Sequence, residues 1–547
     1  MNTFATTPGK RLEALQHQAF DLLVIGGGIT GCGIARDASL RGLSVALVEK
    51  DDFASGTSSR SSRLIHGGVR YLEHGHLHLV FESSAERRRL LRLAAHLVRP
   101  LAFTWPVYAG DRIPRWKLGA GLLAYDALAL FRNVARHKRL DRDGVLAREP
   151  MLRHDGLLGG ARYYDAATND ARLTLANALA AAESGATVVN HATVMTLLFH
   201  DGRVAGARVQ DSLTEQSVEV RARIVVNATG PWSDDVRRLD AARTREHAPR
   251  SPAVRGSKGT HIAVPRERLG NRDALTLSSP LDGRVMFALP AGRCAIVGTT
   301  DGYTSAAADE VRATNEDVNY LLDSANSFFP SARLTTNDVV SAWAGIRPLL
   351  PTAADNPGSV SREHAVTTSD HGLISITGGK LTTYRVMAAD VMKVVIAGLG
   401  SRIGPDRARS LALPGGDFGS LDELIATAGK TIDDPELTRH LVAAHGSRWP
   451  RVWEEIARGD GRRYVHDGLP YTLGELRYAV RSEMARTIGD LLIRRTHVAF
   501  ETRDHGAEAA ERVAMAVSDA VGWDAGDRQR AVADYMAEAE RIFSIES

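Results

Sequence analysis

Two cysteines in 547 residues, Cys32 and Cys294, exclude a disulfide framework and match no metal-binding spacing, so no metal is expected. No run of about 20 apolar residues occurs, so no membrane-spanning helix is expected. The opening residues, MNTFATTPGK, carry no apolar signal core. Net charge is only +3, with 68 Lys and Arg against 65 Asp and Glu, so the chain as a whole does not point to nucleic acid. These absences favour a reducing, cytoplasmic setting. The composition is globular, 44% hydrophobic and 24% charged. The length exceeds one ordinary core, so two or three domains are expected.

Glycine is plentiful, and its placement is the strongest signal. Residues Asp21 to Glu49 read DLLVIGGGITGCGIARDASLRGLSVALVE. An apolar run, Leu22 to Ile25, enters Gly26-x-Gly28-x-x-Gly31. A helical stretch follows, then a second apolar run, Val45 to Val48, closed by Glu49. That order is a βαβ unit for an adenine dinucleotide. Gly26 permits the tight turn, Gly28 admits a pyrophosphate against the backbone, and Gly31 lets the helix pack on the sheet. Ile29 and Thr30 open that helix, whose N–H groups face the phosphates. Glu49, with Lys50 beside it, is placed to accept hydrogen bonds from a ribose diol. Cys32, inside the helix, reads as a small packing residue.

Residues 51 to 75, rich in Ser, Gly and Arg, read as a long loop near the cofactor. Helices are expected over Ser83 to Val98, Leu173 to Ser184, Glu316 to Phe329, Lys380 to Ala397 and within Thr472 to Val498. Strands are expected at Thr187 to Val189, Thr193 to Phe199, Val204 to Val209, Ser217 to Val220, Arg223 to Asn227 and Ile374 to Thr377, with Asp201-Gly202 as a hairpin turn. Residues 253 to 300 are strand-rich. Pro414-Gly415-Gly416-Asp417 breaks the pattern, and a charged, helical region follows. The chain therefore divides into residues 1–415 and a helical domain, 416–547. Leu118 to Phe131 is apolar apart from Asp126. Arg112, Arg115, Trp116 and Lys117 precede it, and Arg132, Arg136, His137, Lys138 and Arg139 follow. This is either a helix lying in a membrane interface or a buried helix with solvated basic ends.

The first motif does not separate NAD from FAD. Asn227-Ala228-Thr229-Gly230 ends a strand in glycine, and Gly378-Gly379-Lys380-Leu381-Thr382-Thr383 puts glycines and hydroxyls at a late helix start. Together they suggest FAD, an extended cofactor bridging distant parts of one chain. A run from Thr57 to His74 (TSSRSSRLIHGGVRYLEH) resembles the signature of the FAD-dependent, quinone-reducing glycerol-3-phosphate dehydrogenases. So do NATGPW at 227–232, GSKGTHIAVP at 256–265, GTTD at 298–301, GIRPL at 345–349 and GGKLTTYR at 378–385. Phe53 and Arg63 stand where Leu and Lys are usual.

The resemblance implies a mixed α/β fold. A Rossmann-like FAD domain is discontinuous over about 20–100, 165–250 and 340–400, with an antiparallel-sheet substrate domain between its parts and a helical C-terminal cap. FAD contacts are implied at Gly26, Gly28, Ile29, Thr30, Gly31, Glu49, Lys50, Thr57, Ser58, Ser62, His66, Gly67, Gly68, Ala228, Gly230, Gly379, Lys380, Leu381 and Thr382. Arg347 and Arg362 are implied to hold the phosphate of glycerol 3-phosphate, and Arg70, Tyr71 and Lys380 to meet its glycerol end or the flavin. A buried dianion needs several converging cations, and Arg347 lies in an otherwise apolar stretch. His261 is the first choice of base for the substrate hydroxyl and His66 the alternative. The implied electron acceptor is a membrane quinone, reached from the cytoplasmic face of the cell membrane, and the implied assembly is a homodimer. An oxygen-reducing oxidase, an FAD enzyme of another small hydroxy or amino acid, and a flavin scaffold without turnover are the alternatives.

Overall fold

The computed structural model describes residues 12–16, 18–69, 77–130, 133–242, 251–351, 360, 362–400 and 403–546. Arg70, Tyr71, Phe131 and Arg132 lie outside the described residues.

The first strand, Phe20–Ile25, is apolar because it is buried on both faces. Its side chains alternate between two cores. Leu22 and Val24 join Val45 and Leu47 of strand Val45–Val48 under the helices, while Leu23 and Ile25 join Ala46 and Val48 on the opposite face. The sheet order is His364–Thr368, Ile374–Gly378, Ser217–Asn227, Phe20–Ile25, Val45–Val48, Thr187–Val189. Its inner pairs are parallel, and only the His364–Thr368 edge runs antiparallel. Helices Ile29–Leu40, Asp170–Glu183 and Tyr384–Leu399 cover one face. A meander of Ala192–His200, Arg203–Asp211 and the first half of Ser217–Asn227 covers the other. Asp201 and Gly202 join the first two of its strands, both with positive φ (48° and 79°), as a two-residue hairpin requires.

A ten-stranded sheet, almost wholly antiparallel, stands beside the first. Arg255–Pro265 lies within it, paired to Cys294–Gly298 on one side and Ser341–Leu349 on the other. One face of this sheet packs Ile262, Val264, Leu277 and Val297 on helix Asn315–Phe328. The other shares a core, through Phe103, Trp105, Tyr163 and Trp343, with the helices after residue 470. Trp343 and Phe500 meet edge to face at 5.1 Å. The fold is the expected mixed α/β arrangement with a helical C-terminal domain.

Three expected helices shift. The one placed at Ser83 to Val98 spans Leu77–Leu93, and Val98 instead opens strand Val98–Tyr108. The one placed after Gly378-Gly379 starts at Tyr384, because both glycines take left-handed φ (78° and 88°) and Lys380 to Thr383 form a turn. Within Thr472 to Val498, helix Leu473–Ser482 stops before Met484 (φ 61°), and Asp490–Arg495 form a π-helical turn. The wider turn brings the neighbouring side chains of Arg494 and Arg495 onto one carboxylate, Asp52, at 3.1 and 2.5 Å. Consecutive residues of an α-helix do not face one partner in this way.

The apolar segment around residue 120 is helical over Arg115–Leu128, with one side buried and the other exposed. Leu118, Leu122 and Tyr125 are buried, whereas Trp116 (71% exposed), Leu123 and Leu130 form an apolar stripe on the outer side. Leu77 and Phe81 are exposed at the start of the adjacent helix. Asp126 interrupts the apolar run because it is a buried acceptor for Asn133 Nδ2 (2.7 Å) and His137 N (3.1 Å). Among the described residues no helix is long and apolar enough to cross a membrane.

Candidate functional site

Three motifs that are remote in sequence line one elongated cavity of about 430 Å³. Gly26, Gly28, Ile29 and Thr30 form its floor at the helix start. Glu49 and Lys50 come from the end of the second strand, and Thr57 and Ser58 from the loop after it. Ala228 and Gly230 close one side, and Gly379, Lys380 and Leu381 another. Gly26 (φ 110°) turns so tightly that a Cβ there would lie 2.7 Å from the Ala228 carbonyl oxygen. Gly31 lies outside the cavity, in the packing of helix on turn: its Cβ would lie 1.9 Å from Gly26 O. Ser58 Oγ accepts from Ile29 N at 3.0 Å, and Thr57 Oγ1 donates to Ile346 O at 2.6 Å. The loop is thereby tied to both the helix start and the second sheet.

The donor set suits an adenine dinucleotide. Glu49 is a buried acceptor, receiving Gly27 N at 2.5 Å and Asp51 N at 2.9 Å, and burial pushes its carboxyl up to about 7. Hydroxyls of a bound ribose would stabilise the ionised form. Burial also brings the Lys380 ammonium down to about 8, despite the pull of Glu82. Its Nζ donates to Ser83 Oγ at 3.2 Å.

A second chamber, about 150 Å³, is lined by Ser62, His66, Gly68, Thr299, Asp301, Arg347 and Arg362. Arg347 donates to Asp301 Oδ1 and Thr299 Oγ1, both at 3.0 Å. Arg362 reaches the other oxygen of Asp301 at 3.3 Å, and its buried Nη1 has no hydrogen-bond partner among the described residues. Asp301 also accepts from Ser257 Oγ at 2.6 Å. Sequence reasoning quoted Asp301 inside GTTD without assigning it a task, and it missed Arg284, which lines the same chamber from strand-flanking residues and meets the exposed Asp282 at 3.4 Å. The other lining acid, Asp165, is ion-paired with Arg87. Arg347 and Arg362 exceed Asp301 by one positive charge, and Arg284, shared with the exposed Asp282, supplies a third guanidinium toward a phosphate monoester dianion.

Gly67 lines neither chamber. It packs on Tyr125, and its N–H donates to Asp165 at 3.0 Å. Thr382 donates to His66 O at 3.3 Å, fixing the histidine segment. His261 also stands back from the chamber wall. Its ring lies between Trp343 (stacked, 5.6 Å) and Gly298, and its Nε2 meets Ser62 Oγ at 2.8 Å. Ser62, which does line the chamber, is the link between them. Burial, and then the charges of Arg347 and Arg63, take the His261 imidazole down to about 3, so it is neutral.

Residues 21–385 match the FAD dependent oxidoreductase family, and residues 407–528 match the C-terminal domain of alpha-glycerophosphate oxidase. The chain is 40% identical to a glycerol-3-phosphate dehydrogenase of Mycobacterium leprae (strain TN), covering 98% of this chain and 91% of that protein. It is 37% identical to an aerobic glycerol-3-phosphate dehydrogenase of Staphylococcus aureus (strain USA300), covering 88% and 87%. The crystal structure of glycerol-3-phosphate dehydrogenase from Bacillus halodurans complexed with FAD superposes with a TM-score of 0.80 at 33% identity over 97% of both chains. With its glycine-lined cofactor cavity and the cationic chamber beside it, this chain belongs to the FAD-dependent glycerol-3-phosphate dehydrogenases, within the FAD dependent oxidoreductase family.

Proposed function

We propose that the chain oxidises sn-glycerol 3-phosphate to dihydroxyacetone phosphate and passes the electrons to a membrane quinone. The carrying observation is the cationic chamber of Arg284, Arg347 and Arg362 around Asp301, next to the cofactor cavity. Bound FAD supplies the hydride acceptor. Gly26, Gly28, Ile29 and Thr30 would hold its diphosphate, Glu49 its ribose, and Gly379 to Leu381 its far end. Arg347 and Arg362 clamp the phosphate, with Arg284 completing the charge balance. Lys380 borders the flavin end.

For the C2 hydroxyl proton, geometry favours a relay. Ser62 Oγ faces the chamber and His261 Nε2 stands behind it. A phosphate dianion on Arg347 offsets that residue's repulsion of the imidazolium, so substrate strengthens its own base. His66, which lines the chamber directly, is the second reading. Arg70 and Tyr71 belong to the proposal through the family signature alone.

The exposed stripe of Trp116, Leu123 and Leu130, ringed by Arg112, Arg115, Lys117, Arg136, Lys138 and Arg139, supports docking on an anionic membrane surface. Quinone reduction needs that location. The test is anaerobic addition of glycerol 3-phosphate to the purified yellow protein. Bleaching with the phosphate, and none with glycerol, lactate or glycine, is the expected result. Bleaching by glycine or lactate instead would overturn the substrate.

A further inference from the structure

A third chamber, about 440 Å³, shares the wall of Ser62 and Leu64 with the substrate chamber. It lies where both sheets meet the helical domain. Four arginines line it. Two are balanced: Arg172 by Glu483 at 2.7 Å, and Arg495 by Asp52 at 2.5 Å. The other two, Arg63 and Arg99, make no ion pair among the described residues. The one lining acid, Glu501, is pushed up to about 6 by burial and accepts a long bond, 3.4 Å, from Tyr471. Of the three lining histidines, His96, His440 and His497, burial holds His96 neutral.

The polar atoms around this space are short of acceptors. Arg63 Nε and Nη2, Arg172 Nε, His96 Nδ1 and Thr168 Oγ1 are shielded from solvent, yet none has a hydrogen-bond partner among the described residues. Arg172, His96 and Thr168 are each over nine-tenths buried. Orphaned buried donors are costly, at about 1–3 kcal/mol each, and Arg63, which contributes two of these atoms, is the lining cation with most to gain from an oxyanion. Apolar wall comes from Leu97, Leu101, Leu289 and Ala444 of helix Pro435–His445, among polar lining residues that include Asn169, His440, Tyr471 and His497.

We propose that this chamber binds a small amphipathic anion, a phosphate or carboxylate on a short hydrocarbon body, separate from the substrate. Its head pairs with Arg63 and Arg99, and its body lies along Leu97, Leu289 and Ala444. Arg63 adjoins Ser62 in sequence, so the occupant's charge is felt beside the Ser62–His261 pair.

The test uses the FAD-loaded protein and calorimetric titration with octyl phosphate, with octanoate and inorganic phosphate as the other arms. Octyl phosphate and octanoate should bind saturably, and inorganic phosphate at least tenfold more weakly. Octyl phosphate should inhibit glycerol 3-phosphate oxidation without competing with that substrate. Ala444→Phe, which fills the apolar end, should weaken binding at least tenfold while leaving FAD content and kcat/KM within about twofold. Arg99→Glu, at the exposed mouth, should do the same with little risk to folding. Wild-type binding in both variants, purely competitive inhibition, equal binding of inorganic phosphate, or loss of binding in Arg347→Ala would each overturn the proposal. The binding arms do not depend on turnover, so the inference stands or falls apart from the proposed reaction.

Discussion

Ser62 and His261 carry the most direct residue-scale predictions. If the hydroxyl hands the substrate proton to the imidazole, Ser62→Ala and His261→Asn should each lower kcat by about 10²–10⁴ with KM little changed. Steady-state kinetics checks this, and an active His261→Asn enzyme paired with a dead His66→Asn enzyme would move the role to His66. Arg284→Gln should raise KM for glycerol 3-phosphate by about tenfold or more, since one charge-assisted contact is worth about 1.5–3 kcal/mol. An unchanged KM would remove Arg284 from the phosphate clamp. Arg347 was visible in the sequence because a cation between Ile346 and Pro348 is out of place on an apolar strand. Arg284 was not, because an arginine after Asp-Gly in a hairpin looks like any solvated turn residue. Nor did the sequence show that His261 stands behind Ser62, for that follows from strands Arg255–Pro265 and Ser341–Leu349 placing Trp343 against the ring.

At the scale of the element, helix Ile29–Leu40 is specified by its small residues. Gly31→Ala puts a methyl 1.9 Å from Gly26 O, so the turn and the helix cannot both keep their places. The protein should purify with a small fraction of its flavin, read from visible absorbance. Helix Arg115–Leu128 makes the second prediction. Trp116→Ala with Leu123→Ser should reduce sedimentation with anionic vesicles while leaving kcat with a soluble acceptor unchanged, because both side chains point away from the core. Undiminished vesicle binding would place the contact elsewhere. Elements with strong periodicity or bounded by glycine were legible, such as the first βαβ unit and the Asp201-Gly202 hairpin. Leu77–Leu93 was displaced because its apolar start, Leu77 to Phe81, has no acidic residue in the first turn to mark it, and leucines continue past its end toward a strand. The π-turn at Asp490–Arg495 was illegible, since its cause, Asp52, lies over 400 residues away.

The whole molecule is held together by buried ions where the helical domain meets the cofactor domain. Asp52 takes Arg494 and Arg495, Glu483 takes Arg172, and Asp490 takes His191 at 3.0 Å. Asp52→Ala leaves buried Arg495 with only a distant carboxylate among the described residues, Glu483 at 3.8 Å, and takes from Arg494 one of three acids; it should cost about 3–5 kcal/mol, seen as a fall in Tm and an early loss of helical signal. Glu483 and Asp490 are held below the usual carboxylate range, against their own burial, by these cations. Their contribution is present above the unfolded value of about 4 and is lost as pH falls below it. Thermal melts from pH 7 to 3 should therefore show stability declining below about pH 4.5, and a flat profile would contradict the linkage. None of these pairs was readable from spacing, because each joins segments that only the fold brings together.

Asp301 sits between Arg347 and Arg362 and cancels one of the chamber's three guanidinium charges before any ligand arrives. Such a pocket responds to valence more than to shape. A molecule with one negative charge gains little over the internal carboxylate, whereas one with two repays the rearrangement. Phosphodiesters of glycerol, including the headgroups of the bilayer on which the protein is proposed to rest, would thus be ignored, and the free monoester would be selected from among them.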